Sequence, residues 1–224
     1  MKWLVVLSVV LLLVLSLSAQ TTKLTVKEFD AQIDAAIAAT AKKVRRVSET
    51  FTAFEPGKEV KSWISTYEYI PPDRFRSYMI SGTDQGLEYI EASEYCYIKR
   101  RDGVWNHFYV APDIPPYFFW DVRKEGAGSM VKTSDLRKDV VDGEIVQKYS
   151  RESRQIFDNG KGRPPSPPVA VLDEVWIGSN GLVVRAESLV YDGNNGKLLQ
   201  KSILIWQYDP KDIKIEAPTI KDGQ

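Results

Sequence analysis

The first part of the chain shows a helical spacing of apolar residues. Apolar side chains recur every three or four positions from Phe29 to Val47, which is the period of an amphipathic helix. Thr25 and Glu28 stand at the start in the pattern of a capping box, in which each side chain satisfies a backbone N–H of the other. The spacing predicts one long helix from Thr25 to about Thr52, with a narrow apolar stripe that packs against another layer.

After Pro56-Gly57 the pattern changes to an alternation of apolar and polar residues, which is typical of half-buried strands. Turn residues separate the alternating segments, and Asp102-Gly103 is the strongest hairpin signal among them. Strands that follow one another so closely predict an antiparallel meander of about nine to eleven strands. The predicted strands are 60–69, 74–80, 87–92, 94–100, 104–110, 144–150, 172–177, 182–191 and 201–208.

Two proline-rich segments interrupt this alternation. Residues 111–128 contain four consecutive aromatic side chains, Tyr117, Phe118, Phe119 and Trp120, without a clear period. Prolines disfavour a strand in this segment, and they also indicate a loop over 162–168.

These elements predict an α+β fold that is mostly β, with an N-terminal helix packed on a large antiparallel sheet. A sheet of that size curls, and one helix cannot cover its whole inner face. The pattern therefore predicts an apolar concavity, which is where ligands usually bind.

The N-terminus has the three-part layout of a secretory signal peptide. Lys2 precedes a long apolar run that ends in small residues near Ala19. The run is short for a membrane-spanning helix, which needs about 20 apolar residues, so cleavage is favoured over a retained anchor. We expect a signal peptide over 1–19 and a single periplasmic or extracellular domain over 20–224. Gln20 stands where a lipid-accepting cysteine would be, so the mature chain is expected to lack a lipid anchor.

Composition and single residues disfavour several function classes. The chain has 30 Lys+Arg and 30 Asp+Glu without a basic stripe, so no nucleic-acid partner is expected. Cys96 is the only cysteine, which prevents an intrachain disulfide, and His107 is the only histidine, which excludes a multi-histidine metal site. We expect no enzyme, no catalytic residues, no metal and no cofactor, although the sequence leaves open a pair of glycosidase-type carboxylates.

Large aromatic residues occur in strand after strand, and each ring offers about 150–250 Å² of buriable surface. They fit either an ordinary sheet core or the lining of an apolar cavity. Members of this set are Trp63, Tyr67, Tyr69, Phe75, Tyr78, Tyr89, Tyr95, Tyr97, Trp105, Trp176, Trp206 and Tyr208.

Four segments of the mature chain contain the motifs of one known family in the same order. They read YEYIPPDRFRSYMISG, GLEYIEASEYCYIKRRDGVW, DEVWIGSNGLVVRAE and LIWQYDPKDIKIEAP. With these segments the chain resembles the LolA/LolB-like superfamily of lipoprotein and lipid carriers, and is most similar to its LppX/LprG-type branch. The similarity extends from about Thr25 to Pro218.

The resemblance implies an unclosed half-barrel whose hollow binds acyl chains. Positions in matching strands are expected to line this hollow: Phe75, Met79, Ile90, Tyr97, Trp176, Val184, Leu204 and Trp206. For Tyr117 to Trp120 there are two hypotheses, a lid or membrane-touching loop, and a plug at one end of the barrel.

The sequence therefore predicts a monomeric, non-catalytic carrier or chaperone for a lipid or for the acyl chains of a lipoprotein, with transient membrane contact. An envelope sensor or scaffold that binds a protein partner is the first alternative, and a hydrolase is the second.

Overall fold

A computed structural model gives the fold of residues 21–54, 57–92, 94–109, 130–156 and 167–219. The predicted signal peptide over 1–19 and the aromatic segment Tyr117 to Trp120 lie outside these described residues.

The predicted helix is correct at its start and wrong at its end. Helix α1 spans Val26–Ala41, and Thr25 forms the capping box, because its hydroxyl accepts from the Glu28 N–H at 3.2 Å. The next segment, Arg45–Ala53, is strand β2. Val47 fits a helical stripe and also fits a strand. The strand prevails because β2 lies between two other strands, which take up its backbone hydrogen bonds.

The sheet contains twelve strands in the described part of the chain. They are β1 Thr22–Lys23, β2 Arg45–Ala53, β3 Lys61–Ile70, β4 Arg74–Ser81, β5 Glu88–Ala92, β6 Tyr95–Lys99, β7 Trp105–Tyr109, β8 Met130–Val141, β9 Glu144–Gln155, β10 Val169–Ile177, β11 Val183–Asp192 and β12 Leu198–Tyr208. The sequence pattern did not predict β1, β2 or β8. The predicted fold class, a helix packed on a large curled antiparallel sheet, is confirmed.

The strand order is β1-β8-β9-β10-β11-β12-β2-β3-β4-β5-β6-β7, and all neighbours are antiparallel. Two meanders, β8–β12 and β2–β7, join where β12 pairs with β2. Strands β1 and β7 form the two edges within the described residues, so the sheet is open, as the half-barrel expectation requires.

The hydrophobic core lies between α1 and one face of the sheet. Strands β2 and β9–β12 supply its sheet side, and α1 packs most closely against β8 and β11. The buried members are Phe29, Ile33, Ala36, Val47, Tyr149, Val175, Ile177, Val183, Ala186 and Leu204.

Polar groups fix the end of the helix on the sheet. The Thr40 hydroxyl accepts from the Val183 N–H at 3.1 Å, and both groups are buried. Arg45 Nη1 donates to the carbonyl oxygens of Thr40 and Ala41 at 3.2 and 3.3 Å. These bonds satisfy carbonyl groups that the last turn of a helix leaves without partners.

Candidate functional site

The inner face of the sheet, defined here as the face that packs on α1, divides into two halves. Its register places Val47, Tyr67, Ser77, Tyr89 and Ile98 in one row across β2–β6. Within the described residues, the buried core takes no member from β3–β7. The core therefore lies over the half formed by β8–β12 and reaches Val47 and Tyr67 at the junction, and the rest of the half formed by β2–β6 extends beyond it.

We call this second half the aromatic wing. It consists of Phe51, Trp63, Ser65, Tyr67, Phe75, Ser77, Met79, Tyr89 and Ile98. Ser65 is buried and the others are half-buried, whereas Ile64 on the opposite, outer face is exposed. The wing is thus a mostly apolar surface with partial access to solvent.

Ring contacts connect the wing across four strands. Phe51 and Trp63 stack with centroids 4.2 Å apart. Tyr67 and Phe75 stack at 6.3 Å, and Phe75 meets Tyr89 edge-on at 6.0 Å. Such pairs add about 0.5–1.5 kcal/mol each beyond their burial, so they give the wing a defined shape without a helix over it.

A glycine turn supports the Trp63 end of the wing. Gly82 has φ +105°, and a Cβ added there would lie 2.7 Å from Cβ of Trp63. Only glycine combines this backbone conformation with such a close approach.

A cavity of about 240 Å³ lies over the wing. It is small beside the roughly 300–1,000 Å³ of typical ligand sites, but it opens to solvent along the sheet. Its lining residues are Ser65, Tyr67, Ser77, Tyr78, Met79, Leu87, Glu88, Tyr89 and Ile98.

A second groove of about 440 Å³ runs along the other side of the molecule. Its walls are Ala35, Ala36 and Ala39 of α1 and, across from them, Ile145 and the other residues at the β8–β9 tip. It lacks the ring contacts of the wing, although exposed Ile145 gives its wall an apolar character.

Glu49 is a buried carboxylate at the junction of the two halves of the inner face. Tyr67 Oη donates to its Oε2 at 2.6 Å, and Ser202 Oγ donates to its Oε1 at 2.8 Å. Burial and the neighbouring Glu49 charge raise the pKa of Tyr67 well above its ordinary value, so this phenol stays a donor. The network ties β12, β2 and β3 together below the cavity.

A second inner-face carboxylate, Glu91, accepts a short hydrogen bond from the Tyr89 hydroxyl. Burial raises the pKa of Tyr89, and hydrogen bonding to Cys96 and Glu91 raises it further. Burial also raises the pKa of the Cys96 thiol, which lies buried in β6.

Four of the eight predicted cavity residues lie on the inner face. Phe75 and Met79 belong to the wing, Leu204 is a core residue, and Trp206 packs against the core. Of these four, only Met79 lines the cavity over the wing, and the role of the predicted residues in lipid binding stays a prediction.

Three other predicted residues, Ile90, Tyr97 and Trp176, lie on the outer face. Ile90 and Tyr97 are cross-strand partners there, and Trp176 lies between the cations of Lys148 and Arg185, at 4.5 and 5.2 Å from its ring. Trp176 Nε1 also donates to Asp139 at 2.8 Å. Trp176 is therefore buried by the charged side chains around it and not by the hydrophobic core.

Val184 lies beside an irregularity in the pairing of β10 and β11. The register shifts between Trp176 and Ile177, so Val183 pairs with Ile177 and enters the core. Val184 is half-buried and approaches Gly178.

Sequence reasoning missed most of the wing. Trp63, Tyr67 and Tyr89 were recognised as aromatic strand residues but were not assigned to the cavity, and the alternation of β3 could have placed the first two. Glu49 was not assigned to the site because its segment was predicted to be helical. Ser65 belongs to no motif that would assign it to a site.

Some functional features are not found in the described ranges. No group of three or more His, Cys, Asp or Glu side chains there could hold a metal ion. No helix in the same ranges has the length and hydropathy needed to cross a bilayer.

No family model and no curated protein matches the chain, whereas solved structures do. Lipoprotein LppX from Mycobacterium tuberculosis is 14% identical with a TM-score of 0.47, over 86% of this chain and 100% of that one. LprF from Mycobacterium bovis is 13% identical with a TM-score of 0.44, over 88% and 99%.

A LolA superfamily protein from Nitrosomonas europaea is 8% identical with a TM-score of 0.34, over 85% of this chain and 94% of that one. That structure carries the name of the superfamily that the sequence resembles. All three scores lie below 0.5, so the function of the chain is inferred from its own residues.

Proposed function

We propose that this chain is an exported, non-catalytic carrier that binds a lipid, or the acyl chains of a lipoprotein, against the aromatic wing. The observation that supports this most directly is the contrast within one sheet face. One half is covered by the protein's own helix, and the other half presents half-buried rings and a methionine around a cavity.

Acyl chains suit this surface because burying each methylene stabilises a complex by about 0.8 kcal/mol before binding costs. Half-buried Phe75 and Met79 gain burial when a chain lies on them. The open edge of the cavity allows the chain to extend past the wing, so the ligand can be longer than the cavity itself.

Export and contact with membranes complete the proposal. A carrier that takes up lipid at one membrane and releases it at another works outside the cytoplasm, which fits the signal peptide predicted over 1–19. We propose a soluble monomer that touches membranes only transiently. Intact-mass analysis after expression of the full chain measures removal of 1–19, and a purified protein that keeps these residues would contradict the export part of the proposal.

The direct test is native mass spectrometry of the purified protein, followed by extraction of any bound lipid. We expect co-purifying lipid in the natural protein and uptake of a fluorescent fatty-acid probe after its removal. Met79→Lys should lose at least about 90% of the probe binding, because a charge on the wing resists burial by an acyl chain.

Ile64→Lys is the matched control, since Ile64 belongs to the adjacent strand β3 and lies exposed on the outer face. This control should bind the probe like the natural protein. A lipid-free mass together with no probe uptake would refute the carrier function and favour the sensor or scaffold alternative. Equal loss in both variants would show that binding does not take place on the wing.

A further inference from the structure

The buried carboxylate of Glu49 has no cationic partner within the described residues. Glu49 is only 8% exposed. Its carboxylate oxygens accept hydrogen bonds from the neutral hydroxyls of Tyr67 and Ser202. A buried charge without a counter-ion is costly, and natural proteins usually pair it.

Two basic side chains of the inner face, Arg45 and Arg151, are engaged elsewhere. Arg45 donates to helix carbonyl groups and lies 4.1 Å from the ring centroid of Tyr69. Arg151 pairs with Asp30 at 3.0 Å on the far side of the core. Neither one neutralises Glu49.

Glu49 lies directly beside the cavity over the wing. Ser65, its cross-strand partner, and Tyr67, its hydrogen-bond donor, both line that cavity. A carboxylate offers about four acceptor positions, and here the two hydroxyls use two of them. The carboxylate therefore keeps acceptor capacity next to Ser65 and Tyr67, two residues of the cavity wall.

We propose that Glu49 binds a positively charged ammonium group of the ligand, so that the preferred cargo is a long-chain amphiphile with a primary amine. This inference rests on the proposed carrier function and specifies its ligand class. The acyl or alkyl chain lies along the aromatic wing, and the ammonium donates to the carboxylate beside the cavity wall. Ser65 and Tyr67 add neutral polar groups around the same position.

Three probes with the same chain test this assignment: hexadecylamine, hexadecanol and hexadecanoic acid. The amine is charged at neutral pH, the alcohol is a neutral donor and the acid is an anion. Displacement of the neutral dye N-phenyl-1-naphthylamine from the purified protein gives a Kd for each probe. We expect the amine to bind at least about tenfold more tightly than the alcohol, and the acid to bind most weakly, because hydrogen bonds to a charged group are the stronger ones.

Glu49→Gln should remove the preference for the amine and leave the affinity for hexadecanol within about twofold. A merely structural role of Glu49 would shift all three affinities together and keep their ratio. Glu49→Asp keeps the charge and should keep the order of the three probes, which protects the test if the amide variant folds poorly. Glu91→Gln, on another inner-face carboxylate, is the control and should leave the ratio unchanged.

The outcomes separate the two proposals. Equal binding of all three probes, or an amine preference that persists in Glu49→Gln, would overturn the ammonium assignment and leave the carrier function standing. No binding of any probe would overturn both.

Discussion

The two halves of the inner face differ in what covers them. In the half formed by β8–β12, Phe29 of α1 is only 1% exposed and meets Tyr149 edge-on at 6.2 Å. In the wing, Phe75 of β4 contacts two other rings, yet it stays half-buried. The same kind of apolar surface is thus used for folding in one half, and we infer that it is used for binding in the other.

The largest expected effect compares these two rings by truncation. Phe29→Ala should destabilise the protein by about 3–5 kcal/mol, because it leaves a cavity in a packed core. Phe75→Ala should cost only about 1–2 kcal/mol, because its ring buries less surface. Urea unfolding of both variants gives the two values.

The same pair should show the reverse order in binding. Phe75→Ala should weaken uptake of the fatty-acid probe, whereas Phe29→Ala, in conditions where it is folded, should not. Equal losses of stability in the two variants would show that the wing is a packed core, and would contradict the proposed difference between the two halves.

The second effect is stabilisation by ligand in the wing alone. A ligand present at 100 times its Kd stabilises the folded state by about 2.7 kcal/mol. We expect thermal unfolding of the delipidated protein to shift upward by the corresponding amount when the lipid is returned. Met79→Lys should show no such shift, and a full shift in that variant would place the ligand away from the wing.

The comparison also shows what could be predicted from the sequence. The alternation of apolar and polar residues gave the class of fold, the open antiparallel sheet and most strands, because side-chain period depends on local geometry alone. The helix was extended past Ala41 because Val47 suits both a helix and a strand. Pairing with β12, which follows about 150 residues later in the chain, decides between them, and a local pattern carries no information on such a partner.

Faces were harder to predict than strands. Phe75 and Ile90 were both expected in the cavity, but the register of β4 and β5 places them on opposite faces. A change of one residue in register moves a side chain to the other face, and register is set by turns and partners. Glu49 could not be found because its segment was assigned to the wrong element.

The third effect concerns the turn that supports Trp63. Gly82→Ala should cost about 2 kcal/mol or more, because a positive φ and a contact with Trp63 both oppose the new Cβ. Gly86→Ala is the matched control, since Gly86 also has a positive φ, +87°, but its Cβ would meet nothing within 4 Å. The control should cost about 1 kcal/mol.

The difference between the two glycine variants in urea unfolding measures the contact with Trp63. Probe binding should fall in Gly82→Ala and stay unchanged in Gly86→Ala, because only the first displaces a ring of the wing. Equal effects of the two substitutions would mean that the turn does not shape the wing.

The smallest effect belongs to the covered half, at the start of α1. Thr25→Ala removes the helix cap and should destabilise the protein by about 1 kcal/mol.

This contribution depends on pH through Glu28. Hydrogen bonds from the backbone and the hydroxyl of Thr25 lower the pKa of Glu28 below its ordinary value of 4.5. Because the folded pKa is the lower one, this contribution is present above pH 4.5 and is lost as the pH falls through the folded value. The stability gap between the natural protein and Thr25→Ala should therefore be constant near neutral pH and shrink in acid, as urea unfolding at several pH values will measure. Probe affinity should not change, since the cap lies in the half that the helix covers, and a loss of binding in this variant would mean that α1 also shapes the wing.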